Sequence, residues 1–299
     1  MVQFLLKRIY GRKALTRPNL LFYWWREVAN RKRTRLARST PSEYSDTPQI
    51  VQQITQQGII VDASHRFLSG EGQKALSEAA KLVLDASQQP EVSDTVAKGV
   101  SKDKKSFLVN LVPREQEHSP DSPLVRLALD RKLLEIVSGY LGLWPRLFAI
   151  GAWLNFPTED QPVESQLWHR DPEDLKLIKV FIYLADVDAD CGPFSYVPKT
   201  HPFGDRADKI PEHKHARRIA DEEMQRTFPP ESWLRCTGPA KTMILADTVG
   251  YHRGGKPTKG TRILITLTYT SGTPFGDRSV RIKSRPAWAR AGIQEAALA

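Results

Sequence analysis

Thr242-Met-Ile-Leu-Ala-Asp-Thr-Val-Gly-Tyr-His252-Arg-Gly-Gly-Lys-Pro-Thr-Lys-Gly-Thr-Arg262-Ile-Leu-Ile-Thr-Leu-Thr-Tyr-Thr270 holds two apolar, β-branched runs around a glycine-rich, charged connection. Runs of that composition, bounded by Gly, Pro and Asp, read as strands. A short connection makes them antiparallel neighbours, so His252 leaves one strand and Arg262 enters the next near the same level. The same texture recurs upstream in 147 to 156, 163 to 169, 177 to 187 and 194 to 197. Many short strands without helices between them predict an antiparallel barrel or jelly roll.

The chain before residue 147 reads differently. Ile50, Val51 and Ile54 fit one face of a short helix that Gly58 stops, and Ile59 to Val61 is a strand candidate. Apolar residues at helical spacing mark amphipathic helices over 71 to 86 and 122 to 141, with a solvated turn at Lys102 to Lys105 and the apolar stretch Phe107 to Val112 between them. Helices first and strands afterwards predict a mainly β, α+β domain, a barrel buttressed by N-terminal helices. One polar insertion, 201 to 235, interrupts the strands; it has a helical centre near Arg218 to Phe228 and is a place for a lid.

The chain has 299 residues, 40% of them hydrophobic, enough for one large domain. Its net charge of +10 is uneven: residues 1 to 46 carry +8, residues 278 to 299 carry +4, and the body 47 to 277 carries −2. A nucleic-acid-binding fold would carry its excess in the body. The expectation is therefore a folded domain over 47 to 277 with a basic N-terminal extension and a basic C-terminal tail. Only Cys191 and Cys236 are present, which predicts free thiols and a cytoplasmic location. The start of the chain inverts the charge order of a secretory signal. The apolar stretch at 19 to 25 falls far short of the roughly 18 to 20 residues of a membrane span.

Trp168-His169-Arg170-Asp171 carries the strongest local chemistry. Residues two apart on a strand share a side, so the His169 imidazole and the Asp171 carboxylate can meet while Arg170 faces away. Alone, the pair reads equally as a surface hydrogen-bonded couple. His252 adds a second imidazole, and two imidazoles with one carboxylate are the facial ligand set of non-haem iron(II) oxygenases, which leaves positions for a chelating co-substrate and O2. If that co-substrate is 2-oxoglutarate, its far carboxylate needs a planar bidentate partner in a buried pocket, and Arg262 is placed to be one. Lys179 shares an inward strand face with Phe181 and Tyr183; it reads as a contact to co-substrate or substrate, or as a snorkelling lysine at a barrel edge. His201 reads as structural or as a hinge, His213 and His215 as solvated, and His65 and His118 as loop residues. Asn155 and Gln166, beside the expected site, read as contacts to ligand or, more commonly for half-buried amides, as serving the backbone, and Trp168 as packing.

The combination resembles the phytanoyl-CoA dioxygenase family of iron(II)/2-oxoglutarate oxygenases. The resemblance rests on His169-x-Asp171, on Lys179-Val-Phe-Ile-Tyr-Leu-Ala-Asp-Val-Asp188, on Gly192-Pro-Phe-Ser-Tyr-Val-Pro198 followed by His201, and on His252 with Arg262 ten residues later. It covers 150 to 272 closely and 48 to 141 loosely. It implies a double-stranded β-helix (a jelly-roll, cupin-like barrel), metal ligands at His169, Asp171 and His252, and co-substrate binding by Arg262. The implied reaction consumes O2 and 2-oxoglutarate, releases succinate and CO2, and hydroxylates a small-molecule or lipid-like substrate. One departure stands out: relatives often place a hydroxyl residue two positions after the distal histidine, where this chain has Gly254. Thr268, Tyr183 and Thr258 are candidates to replace it. The rival readings are a catalytically inactive barrel that binds partners through its basic extensions, and a nucleic-acid-modifying enzyme guided by the basic arm. Residues 1 to 46, with Trp24 and Trp25, fit an anionic surface equally well. Oligomeric state stays open.

Overall fold

The computed structural model describes residues 15–97, 107–113, 116, 119–211, 218–277, 279–280, 282 and 286–299. Expectations about the first residues, the Lys102–Lys105 turn, His118, His213 and His215 lie outside them. In chain order the helices are α1 (Leu20–Tyr23), which runs into a π-helical turn over Trp24–Ala29, α2 (Arg31–Ser39), α3 (Thr47–Gln57), α4 (Gly70–Ser87), α5 (Pro90–Ala97), α6 (Pro123–Ala128), α7 (Arg131–Leu141), α8 (Asp221–Met224) and α9 (Ile293–Leu298). The strands are β1 (Ile59–Ala63), β2 (Leu108–Asn110), β3 (Arg146–Asn155), β4 (Ile178–Tyr183), β5 (Phe194–Tyr196), β6 (Leu234–Cys236), β7 (Thr242–Ala246), β8 (His252–Gly254) and β9 (Arg262–Thr270).

The strands form an antiparallel six-stranded sheet ordered β1-β7-β4-β9-β3-β2 and an antiparallel three-stranded sheet ordered β6-β5-β8. The runs expected to be antiparallel neighbours are therefore not paired: β4 lies between β7 and β9, and His252 on β8 belongs to the other sheet. Alternation divides the large sheet between two cores. Val180, Ile182, Met243, Leu245, Ile265 and Leu267 pack outward under the helices, whereas Phe181, Tyr183, Ile244, Ala246 and Leu264 point inward, where Phe194 and Tyr196 of the small sheet join them. Helices cover one face, and the space between the sheets is the barrel interior.

Local chemistry explains most element boundaries. Gly58 ends α3 in the left-handed conformation at φ 77°, and a Cβ there would lie 2.5 Å from both His201 Nδ1 and Tyr196 Oη. The helix expected over 122 to 141 is two helices, because Asp130 breaks it: its carboxylate accepts from Leu133 N at 3.0 Å as the cap of α7. The same carboxylate accepts from Ser69 Oγ at 2.5 Å, at the start of α4. Residues 163 to 169, expected to be a strand, are instead a 3-10 turn at Glu164–Gln166 followed by single bridges from Trp168 to Ile219 and from His169 to His252. The short strands β2 and β6 carry too little periodicity to be foreseen.

The described part of the N-terminal extension is packed against the barrel. Trp25 is 1% exposed and its Nε1 donates to Asp174 Oδ1 at 2.9 Å and Ser271 Oγ at 3.2 Å. Phe22 meets Phe203 edge-on at 4.8 Å. Trp25 is thus unavailable for docking elsewhere, while Trp24 stays half exposed. Among the described residues no helix is long and apolar enough to cross a membrane.

Candidate metal centre

The small sheet brings the distant ligands together. His169 and His252 pair as an isolated antiparallel bridge, with His169 N donating to His252 O at 2.9 Å and His252 N donating to His169 O at 3.0 Å. Asp171 N donates to Thr248 O at 2.8 Å, which holds the loop after His169 against the turn before β8. Ligand atoms of His169, Asp171 and His252 lie within 4.8 Å of one another, and all three residues are buried. His169 Nε2 is 3.8 Å from Asp171 Oδ1, and His252 Nε2 is 3.5 Å from Asp171 Oδ2.

The ring orientations suit a cation. His169 Nδ1 lies 2.8 Å from Leu167 O and His252 Nδ1 lies 3.0 Å from Gly250 O. A carbonyl can only accept, so each Nδ1 carries the proton and each Nε2 turns a lone pair toward Asp171. Burial, with His252 beside it, holds His169 well below the ordinary imidazole range, and burial pushes His252 down to about 4. Both rings are neutral at pH 7. Burial works against an ionised Asp171, but Lys179, His252 and His169 together outweigh burial and hold the carboxyl far below the usual carboxylate range. Lys179 Nζ donates to Asp171 Oδ2 at 2.5 Å. Two neutral imidazoles and one carboxylate, dry and preset, are a fitting donor set for a divalent first-row metal.

His169, His252 and Lys179 line a cavity of about 420 Å3 between the sheets. A cleft of about 660 Å3 beside the start of α4 is larger, yet no histidine or cysteine lines it. Chemistry, not volume, selects the site. Arg262 also lines the cavity and is 4% exposed. Its Nη2 donates to Asn155 Oδ1 at 3.1 Å and its Nη1 to Gly255 O at 3.3 Å and Cys191 O at 3.5 Å. Asn155 is the cross-strand partner of Arg262, and its Nδ2 donates back to Arg262 O at 3.4 Å. The Asn155 amide, read as reaching a ligand or serving the backbone, bonds the Arg262 carbonyl and also aims the guanidinium. The available signal was the polar residue ending the apolar strand Arg146–Asn155.

Of the remaining sequence candidates, Lys179 and Thr268 are cross-strand partners and both line the cavity. Tyr183 does not line it: its hydroxyl donates to Cys236 O at 2.8 Å and accepts from Phe194 N at 3.1 Å, deeper in the barrel. Thr258 Oγ1 bonds Asp190 on an exposed turn. His201 is buried with Nε2 at 2.9 Å from Thr55 O, apart from the triad. Gln166 accepts from Val163 N at 3.1 Å and shapes the 3-10 turn. Trp168 donates to Asp221 Oδ1 at 2.8 Å and packs with Ile219, Met224, Phe228 and Trp233, so the described part of the 201 to 235 insertion is pinned behind the first ligand. On the cavity's far side Trp153 Nε1 donates to Thr266 Oγ1 at 3.1 Å.

No protein-family model and no curated protein matches the sequence. Solved structures do resemble the fold. EctD from S. alaskensis with 2-oxoglutarate and 5-hydroxyectoine superposes at TM-score 0.52 and 19% identity, over 85% of this chain and 89% of that one. The epimerase SnoN in complex with Fe3+, alpha ketoglutarate and nogalamycin RO superposes at TM-score 0.51 and 16% identity, over 77% of this chain and 85% of that one. At such identities the likeness speaks for architecture: this chain has the helix-flanked double-stranded β-helix fold of the 2-oxoglutarate oxygenases.

Proposed function

We propose that this chain is a non-haem iron(II), 2-oxoglutarate-dependent oxygenase of the phytanoyl-CoA dioxygenase type that hydroxylates a small molecule. The observation that carries the reading is the convergence of His169, Asp171 and His252, whose two histidines line a cavity that a buried arginine also lines. The solved structures of similar fold include proteins holding iron and 2-oxoglutarate, which supports the same cofactors here. Bound iron(II), O2 and 2-oxoglutarate would supply the oxidising equivalents, with succinate and CO2 as co-products.

The protein's part is binding, orientation and exclusion of water. His169 and His252 offer Nε2, with their rings fixed by carbonyls at Nδ1, and Lys179 fixes the Asp171 carboxylate through Oδ2. Arg262, held by Asn155 and two carbonyls, presents donors to the distal carboxylate of the co-substrate. Phe194 stacks on His252 with centroids 5.7 Å apart and meets Phe181 at 4.3 Å, and this aromatic wall keeps solvent from the ligands. The rest of the cavity, with Leu108, Val112, Ile150, Trp153 and Thr266, is left for the substrate. Its volume lies within the range of small-molecule sites.

Supplied with iron(II), 2-oxoglutarate and O2 but no substrate, the purified protein should form succinate slowly, as uncoupled oxygenases do. His169→Ala and Asp171→Ala should each abolish this turnover. Retention in either variant refutes the ligand assignment, and complete silence of the parent protein favours an inactive binding module.

A further inference from the structure

The first described helical segment has two chemically distinct sides. Inward, Phe22, Trp25, Asn30 and Arg33 are fixed to the barrel; Arg33 Nη1 alone donates to Pro145 O at 3.0 Å and Ala296 O at 2.8 Å. Outward, Leu20 is 89% exposed, Val28 62%, Trp24 52% and Tyr23 49%. These are four of the seven large hydrophobic residues exposed among the described residues, and all fall within nine positions. Isolated exposed apolar residues need no explanation, but a cluster on one face does. Leu20, Trp24 and Val28 are four apart and share a side. Arg31, Lys32 and Arg35 follow in the next helix, beyond the break at Asn30, and Arg17 precedes the segment; all four are exposed and none is in an ion pair among the described residues. The segment's one acid, Glu27, is already paired with Arg26 and Arg38, at 2.7 and 2.6 Å.

We propose that residues 17–38 are a docking surface for an anionic lipid bilayer. Trp24 and Tyr23 have the amphipathic rings that settle at a headgroup boundary, Leu20 and Val28 reach the acyl region, and the flanking cations pair with lipid phosphate and carboxylate groups. Charge decides between occupants. A second copy of this chain on a two-fold axis would bring Arg17, Arg31, Lys32 and Arg35 against their own images, whereas a negatively charged leaflet attracts all four. The inner anchors make the face rigid, so docking would cost little ordering. The proposal is independent of the metal-centre reading.

The test is co-sedimentation of the full chain with phosphatidylcholine vesicles, with and without phosphatidylserine. Binding should be at least about tenfold tighter to the serine-containing vesicles and fall as salt rises from about 0.1 to about 1 M. Removing three cations (Arg31→Ser, Lys32→Ser, Arg35→Ser) should weaken it about hundredfold, at about fivefold per cation. Trp24→Ser with Val28→Ser should also release the protein from the vesicles. All five side chains are exposed and form no hydrogen bond among the described residues, so the variants should melt with the parent. Equal binding to both vesicle types, no binding to either, or variants that bind like the parent would overturn the proposal. So would concentration-dependent self-association abolished by Trp24→Ser, which would assign the face to a second copy.

Discussion

Replacing Arg262 by lysine separates the two halves of the site. The guanidinium is held by Asn155 Oδ1 at 3.1 Å and Gly255 O at 3.3 Å, and its planar fork can meet both oxygens of a carboxylate. A lysine keeps the charge but offers one tetrahedral ammonium, so one charge-assisted hydrogen bond to the co-substrate is lost. Such a bond contributes about 1.5–3 kcal/mol, which corresponds to 2-oxoglutarate binding about ten- to hundredfold weaker. The metal ligands are untouched, so metal affinity should stay the same. Calorimetric titration of 2-oxoglutarate into manganese-loaded protein, with manganese binding measured separately, gives both quantities. Asn155→Ala should lie between parent and Arg262→Lys, because it leaves the fork intact but unaimed. Equal loss of metal and co-substrate affinity, or unchanged co-substrate affinity, would remove Arg262 from its assigned role.

Three other perturbations are informative. With its folded pKa near 4, below the ordinary value of about 6.5, His252 takes up its proton in the unfolded chain first; metal-free stability should therefore fall as pH drops from 6.5 toward 4, with about 2 kcal/mol lost through this residue at about pH 5. Denaturant midpoints of parent and His252→Gln at both pH values isolate that share, and a pH-independent difference between them contradicts it. Trp25→Ala should cost roughly 3–5 kcal/mol of unfolding free energy, because it opens a core site and strips a donor from Asp174; a loss below about 1 kcal/mol would mean that the N-terminal helices are loosely attached. Gly151→Ala puts a Cβ 2.5 Å from Trp153 Nε1 and 2.8 Å from Thr266 Oγ1, which must displace the indole; Trp153 fluorescence should shift while 2-oxoglutarate affinity holds, and a change in affinity alone would place Trp153 outside the substrate wall.

The strands that carry the barrel were legible because their residues are strongly β-branched and their breaks are chemically marked; β7 begins and ends where the run Thr242 to Ala246 does. The meeting of His169 with Asp171 followed from two-residue alternation, although the local backbone is a single bridge at His169 followed by irregular chain, not a regular strand. Alternation also put Tyr183 inward, correctly, but it gives a face and not a depth, and the tyrosine hydroxyl is spent one layer beyond the cavity. Thr258 was a candidate by proximity in sequence alone; the turn carries it outward to Asp190. The double role of Asn155 depends on strand register, which a single sequence does not reveal. Trp25 was read with Trp24 as part of one basic appendage, yet a single residue step around the helix separates a buried anchor from an exposed ring.

The reciprocal main-chain bonds between His169 and His252 have a consequence for how the protein is loaded. The imidazoles are positioned by main-chain bonds and by the carbonyls at their Nδ1 atoms, so their placement does not depend on which ion they hold. Nothing in so rigid a trio of nitrogen and oxygen donors disfavours copper, nickel or zinc, which bind such sets more tightly than ferrous ion. Which ion a purified sample contains will then reflect the supply it met during synthesis, and stripping and reloading should precede any judgement of its activity.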